Sequence, residues 1–96
     1  MNAAKSAPAQ PRAPKAMTKL SYKDQRELDE LPKRLDKLAA EIAAIEARLA
    51  DPAFYGRDPE GFARQSQRLT AAQADHAAAE ERWLELEMLK EQVSQG

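Results

Sequence analysis

The chain has 96 residues, 32% of them charged and 5% aromatic, with no cysteine and a mean hydropathy of -0.74. That composition allows one small domain and excludes a thick globular core, a disulfide scaffold and thiol chemistry; it suits a helical hairpin or coiled coil, where a thin apolar seam is enough. The net charge of -1 argues against a strongly basic nucleic-acid domain, yet residues 1–37 hold nine Lys/Arg against five acids, and the remainder six against eleven.

In chain order, residues 1–18 come first. They are rich in Ala and Pro (Pro8, Pro11, Pro14), contain no acid and show no apolar periodicity. This predicts a flexible, basic, disordered linker with polyproline II character, and a linker of this kind implies part of a longer protein. Nothing in the N-terminus resembles the apolar stretch of a signal peptide, and no apolar run approaches the roughly twenty residues of a membrane span. The expectation is a cytoplasmic, membrane-free protein.

The predicted domain covers residues 19–93. Ser21 is placed to cap a helix, with Asp24 three residues on resembling a capping box. Leu28, Leu31, Leu35, Leu38, Ile42, Ile45 and Leu49 then alternate by three and four, the spacing of a coiled-coil seam. Pro32 interrupts that run, where a proline removes a helical hydrogen bond. Read as a joint, it separates a short helix over 21–31 from an arm over 33–50, leaving open whether the joint is a kink or a break. Asp51-Pro52 ends the arm and opens a turn over 51–58, because the residue before proline resists the α conformation. Asp58 and Pro59 have the residue types of an N-cap and first helical position. A second arm over 59–92 carries Phe62, Gln65, Leu69, Ala72, His76, Ala79, Trp83 and Leu86 at seam spacing.

Folding the arms back near residue 55 pairs positions whose numbers total about 110, at the uniform rise of an α-helix. Leu49 then meets Phe62, Ile42 meets Leu69, Leu38 meets Ala72, Leu35 meets His76 and Leu28 meets Trp83. The expected architecture is all-α: an antiparallel two-helix coiled-coil hairpin with a short preceding helix packed on its base. The last turns of the second arm, with Leu84, Leu86, Met88, Leu89 and Val93, need a further cover, for which Leu20, Tyr22 and Leu28 are the apolar residues at hand. Because the intrachain register closes, a monomer is expected.

Catalytic chemistry has little to work with. His76 is the single histidine and falls on the seam, so a half-buried structural role outweighs metal or base chemistry. Glu80, Glu81, Glu85 and Glu87, with Arg82 and Lys90 nearby, read as a solvated helix face. Three scattered glycines cannot form a phosphate-binding loop. The chain by itself is predicted not to be an enzyme and to hold no cofactor or metal.

The basic residues are more informative. On a helix at about 100° per residue, Lys19, Lys23, Arg26, Lys33, Arg34 and Lys37 occupy one arc of roughly 100° beside the leucine seam, interrupted by Glu30. The bland alternative is a solvated face with i,i+4 pairs such as Arg26–Glu30–Arg34. The functional one is non-specific phosphate contact, extended into the linker by Lys5, Arg12 and Lys15. Tyr22, between Lys19 and Lys23, either stacks on a base or, the favoured option, plugs the hairpin base. A second basic group, Arg57, Arg64 and Arg68, lies near the tip with Phe54 and Tyr55, aromatics better suited to capping the coil than to contact.

The segments "KLSYKDQRELDELPKRLDKL" (19–38), "ADPAFYGRDPEGF" (50–62) and "AEERWLELEML" (79–89) resemble the C-terminal domain of Uup-type ABC-F ATPases, over about residues 18–92. In that family the domain follows a tandem pair of ATP-binding cassettes, forms an antiparallel helical hairpin and is associated with DNA binding, while the parent proteins also act around ribosomes. The resemblance implies a DNA-binding module, with Lys19, Lys23 and Arg26 in the shared opening motif; Lys33, Arg34 and Lys37 join them as contacts on the helix-face argument alone, and Lys15 and Tyr22 from their places beside the track. The DNA bound would be duplex or branched. The alternative it leaves is an interaction coil contacting the ribosome, its RNA, or the parent's ATPase domains. ATP and magnesium would belong to upstream domains.

Overall fold

The computed structural model describes residues 20–95 and contains three helices: α1 (Tyr22–Leu49), α2 (Phe54–Arg57) and α3 (Pro59–Gln95). Lys15, Lys19 and the 1–18 linker lie outside the described residues. The two long helices pack antiparallel, as the seam spacing predicts, and α2 is a single turn inside the 51–58 connection.

Local chemistry sets each boundary. The Asp24 amide donates to Ser21 Oγ at 3.0 Å, the predicted N-cap of α1. At its far end the Ala53 amide donates to Asp51 Oδ1 at 3.0 Å, and the Phe54 amide to the Asp51 carbonyl at 3.0 Å, closing the chain reversal. Asp58 then caps α3, accepting the Gly61 amide on Oδ1 at 3.0 Å. Gly61 is buried, and a Cβ there would collide with the Asp58 carboxylate that provides this cap.

The core is a seam of heptads. Leu31, Leu38 and Ile45 of α1 are buried, as are Ala72, Ala79, Leu86 and Val93 of α3, every seventh residue in each. The alternate positions, Leu35, Ile42 and Leu49 against Phe62, Leu69, His76 and Trp83, are half-buried, since among the described residues no third long helix covers them. His76 thus sits where its seam spacing places it. Among the described residues no polar or charged side chain is fully buried. Phe54 closes the tip, 4% exposed, with its ring centroid 5.7 Å from Phe62 and the Arg48 guanidinium 5.3 Å from its own.

One boundary differs from expectation: α1 runs through Pro32 without a break, so residues 21–31 are not a separate helix. The physical reason lies in the cluster around the joint. Leu28 and Leu31 before it and Leu35 after it all pack with Ala79, Trp83 and Leu86 of α3. That shared wall holds both sides on one axis although the Leu28 carbonyl loses its helical donor. The segment still covers the base of the hairpin as anticipated, with Leu20 in the same cluster. Tyr22 does not: it is 78% exposed and is no plug. Leu84 and Met88 also remain exposed, so the cover reaches only one side of the α3 terminus.

An interior proline costs a helix about 3 kcal/mol relative to alanine. Pro32 is exposed and in helical backbone, so Pro32→Ala should raise stability by roughly 1–3 kcal/mol, after allowing for the chain entropy that proline removes from the unfolded state. Thermal unfolding followed by circular dichroism checks this. An unchanged or lower midpoint would mean that the ring contributes packing worth as much as the lost hydrogen bond.

Candidate nucleic-acid interface

Continuity of α1 places five cations on one rigid element. Lys23, Arg26, Lys33, Arg34 and Lys37 are all exposed. Shallow depressions run end to end along this flank. The first is lined by Tyr22, Lys23 and Arg26 with Glu27 and Glu30. Glu27 and Glu30 also line the next, with Lys33, Arg34 and Lys37, and Arg34 and Lys37 pass into the last, which ends at Glu41.

The i,i+4 pairs of the solvated-face alternative do not form. Arg26 Nη1 donates to the Tyr22 hydroxyl at 3.1 Å instead of meeting Glu30. Glu30 lies 3.9 Å from Lys33 Nζ, both largely exposed, a pair worth little in water. Among the described residues Lys23, Arg34 and Lys37 have no ion-pair partner.

The acids bordering the flank are occupied from α3. Arg82 donates through Nε and Nη2 to Glu27 at 2.8 and 3.0 Å, and lies 3.6 Å from Asp24 and 3.3 Å from Glu85. Arg68 donates in the same forked manner to Glu41, at 2.5 and 2.6 Å. Such two-pronged contacts fix orientation as well as charge. They also neutralise Glu27 and Glu41, leaving Glu30 as the acid within the basic flank. Two expectations change accordingly. Arg82 is not on a solvated outward face but bridges the helices, and Arg68 is withdrawn from the tip group. At the tip Arg57 pairs with Asp51 at 3.7 Å, and of the two turn aromatics only Tyr55 is exposed.

Both bridges were legible in principle: 27 with 82 and 41 with 68 each total 109, within one of the register that the seam predicts. The signal lies in pairing flanking charges across that register, not in any run along one helix.

The Arg82 hydrogen bond holds the Glu27 carboxyl below the ordinary value of 4.5, and Arg68 does the same for Glu41, each against the desolvation that opposes it. The unfolded chain therefore takes up these protons at a higher pH than the folded one. The resulting stabilisation is complete above about pH 4.5 and is lost as pH falls through the folded values. Thermal midpoints should be level near neutrality and drop below pH 4.5. In a Glu27→Gln/Glu41→Gln variant the drop should be shallower; an identical drop would show that other carboxylates carry it.

Among the described residues no three His, Cys, Asp or Glu side chains are grouped to hold a metal, and no helix is long and apolar enough to cross a membrane. Residues 19–88 match the family model described as the ABC transporter C-terminal domain. The chain belongs to this family. Its relatives include the ATP-binding protein Uup of Caulobacter vibrioides, 50% identical over 92 residues, which are 96% of this chain and 15% of that protein. The ATP-binding protein Uup of Escherichia coli is 38% identical over 76 residues, 79% of this chain and 12% of the relative. That of Haemophilus influenzae is 40% identical over 75 residues, 78% of this chain and 12% of the relative. The resemblance to Uup-type proteins seen in the opening, turn and closing segments is thus borne out. This C-terminal domain spans about an eighth of the length of such relatives. No solved structure matches the chain.

Proposed function

We propose that this C-terminal domain is a non-catalytic nucleic-acid-binding module that contacts the phosphates of DNA without sequence preference. The observation that carries the proposal is the flank of α1, where Lys23, Arg26, Lys33, Arg34 and Lys37 stand exposed on one uninterrupted helix while Glu27 and Glu41 are neutralised by α3. A row of cations along one helix suits a phosphate backbone, whose contacts position a protein on the duplex and carry no sequence information. Tyr22, exposed and hydrogen-bonded to Arg26, is available to stack on an unpaired base of a branched substrate. Lys15 and Lys19 extend the track by sequence alone. The domain acts as a monomer in the cytoplasm, and ATP and magnesium bind to other parts of the longer protein, in keeping with relatives named ATP-binding proteins.

Affinity of the domain for a short DNA duplex, titrated by fluorescence anisotropy, should fall in the micromolar range or weaker and decline steeply with salt. Binding that ignores salt would overturn the proposal. A second reading is contact with a ribosome or with ATPase domains of the longer protein. It is favoured by Tyr55, 61% exposed at the tip beside Arg57. Pull-downs with ribosomes and with DNA at matched salt separate the two.

A further inference from the structure

The two-helix ribbon has a second broad side, and its chemistry is opposite. Across the seam from the basic flank, Pro32, Leu35, Trp83 and Leu84 form the apolar floor of an open groove of about 320 Å³, with Asp36 and Glu80 on its rim. The surface continues along α3 past Leu84 to Met88, with Glu87, Glu91 and Lys90 beside it. Leu84 is 50% and Met88 60% exposed. The groove itself, apolar with only Asp36 and Glu80 as charged neighbours, repels DNA and is complementary to a segment both apolar and basic.

The chain holds such a segment. "PAQPRAPK" (8–15) places proline at Pro8, Pro11 and Pro14 and cations at Arg12 and Lys15, with no acid anywhere in residues 1–18. A three-residue spacing matches the turn of a polyproline II helix, a form that would set the three prolines along one edge and Arg12 and Lys15 along the next. Aromatic-floored grooves take such prolines in extended form because little chain entropy remains to be lost. Trp83 provides the aromatic ring here, and Asp36 and Glu80 the counter-charges.

Reach agrees. From Leu20, packed in the cluster that contains Trp83, the six residues back to Pro14 cover about 19 Å at polyproline rise. The level of Pro32 lies twelve residues up α1, about 18 Å. We infer that Pro11–Lys15 dock in cis into the Pro32/Leu35/Trp83/Leu84 groove, prolines on Trp83 and cations on Asp36 and Glu80. Docked there, Arg12 and Lys15 face away from the basic flank, so Lys15 does not extend the DNA track while docked, and DNA contact by Lys23, Arg26, Lys33, Arg34 and Lys37 of α1 is tested separately.

The chain lacks cysteine, so Ala9→Cys offers a single site for a nitroxide label on the full chain. Its paramagnetic broadening of backbone amides discriminates the two sides of the ribbon at one level. Docking predicts several-fold stronger broadening at Leu35, Asp36, Glu80 and Leu84 than at Lys33, Arg34 and Lys37. Arg12→Glu/Lys15→Glu or Leu84→Lys should abolish the difference; Leu84 is exposed, and circular dichroism verifies that the variant folds. Equal broadening of both sides, stronger broadening of the basic flank, or a preference that survives both variants overturns the inference. So does groove broadening that appears undiminished when labelled chain is mixed with an isotope-enriched unlabelled one, which would make the occupant a second copy.

Discussion

Leu86→Ala should cost about 2–5 kcal/mol, the range for a leucine truncated inside a core that cannot close around the cavity. Leu86 is 1% exposed and is the sole large side chain among the described residues to be so fully enclosed. It lies where Leu28 and Leu31 of α1 meet α3, with Leu20 and Trp83 against them. A domain of this size has a total stability of only about 5–10 kcal/mol. The midpoint should therefore fall by about 10 °C or more, and part of the population should be unfolded at moderate temperature. Leu84→Ala, two residues away and half exposed, should change stability by less than about 1 kcal/mol. Equal losses at the two positions would mean that α1 and α3 do not share the seam described.

The second large effect concerns binding. Five phosphate contacts give a salt slope of about -4.5 for duplex DNA. The triple change Arg26→Glu/Arg34→Glu/Lys37→Glu leaves Lys23 and Lys33 against Glu30 and three new acids. The slope should flatten by about three units, roughly one per lost contact, and affinity should drop out of the measurable range near physiological salt. None of the three residues belongs to the seam: all are exposed, and Arg26 makes only a surface hydrogen bond to Tyr22. Helicity and thermal midpoint should therefore stay close to those of the parent. Retained affinity with an unchanged slope would place the contact elsewhere, the tip around Tyr55 and Arg57 being the next candidate.

The hairpin was legible in the sequence because its seam is written in one periodicity. Leucines and isoleucines at three-four spacing in α1 and alanine-rich heptads in α3 leave a single register, and the bridges at 27 with 82 and 41 with 68 keep to it. The course of the chain at Pro32 was not legible. Proline's local cost argues for a boundary, and only the leucines on both sides, packed on one wall of α3, outweigh it. Tyr22 shows the reverse error. An aromatic near the hairpin base suggests burial, yet Leu20 and Leu28 already fill the cluster and the ring is left outside. The basic flank was visible as an arc of charges, but its electrostatics were not, since these depend on Arg82 and Arg68 reaching over from the other helix to Glu27 and Glu41. The spare apolar surface at Leu84 and Met88 was legible, but not the groove beside it, because Leu35 and Trp83 read as seam residues until the open side of a two-helix layer is seen.

The same features explain why one thin domain can present two unlike sides. The seam needs only one stripe of each helix, so the remaining surface of α1 is free to carry cations and that of α3 to carry acids. A third long helix packed along the pair would have covered one of them.

The central claim is that phosphates meet the basic flank of α1. Amide chemical-shift perturbation of the full chain, titrated with a short DNA duplex at low salt, tests it residue by residue. The account predicts the largest shifts from Lys23 to Lys37 on that flank, with little change from Glu80 to Glu91. Shifts concentrated at Phe54–Arg57, or spread along the acidic side of α3, would contradict it.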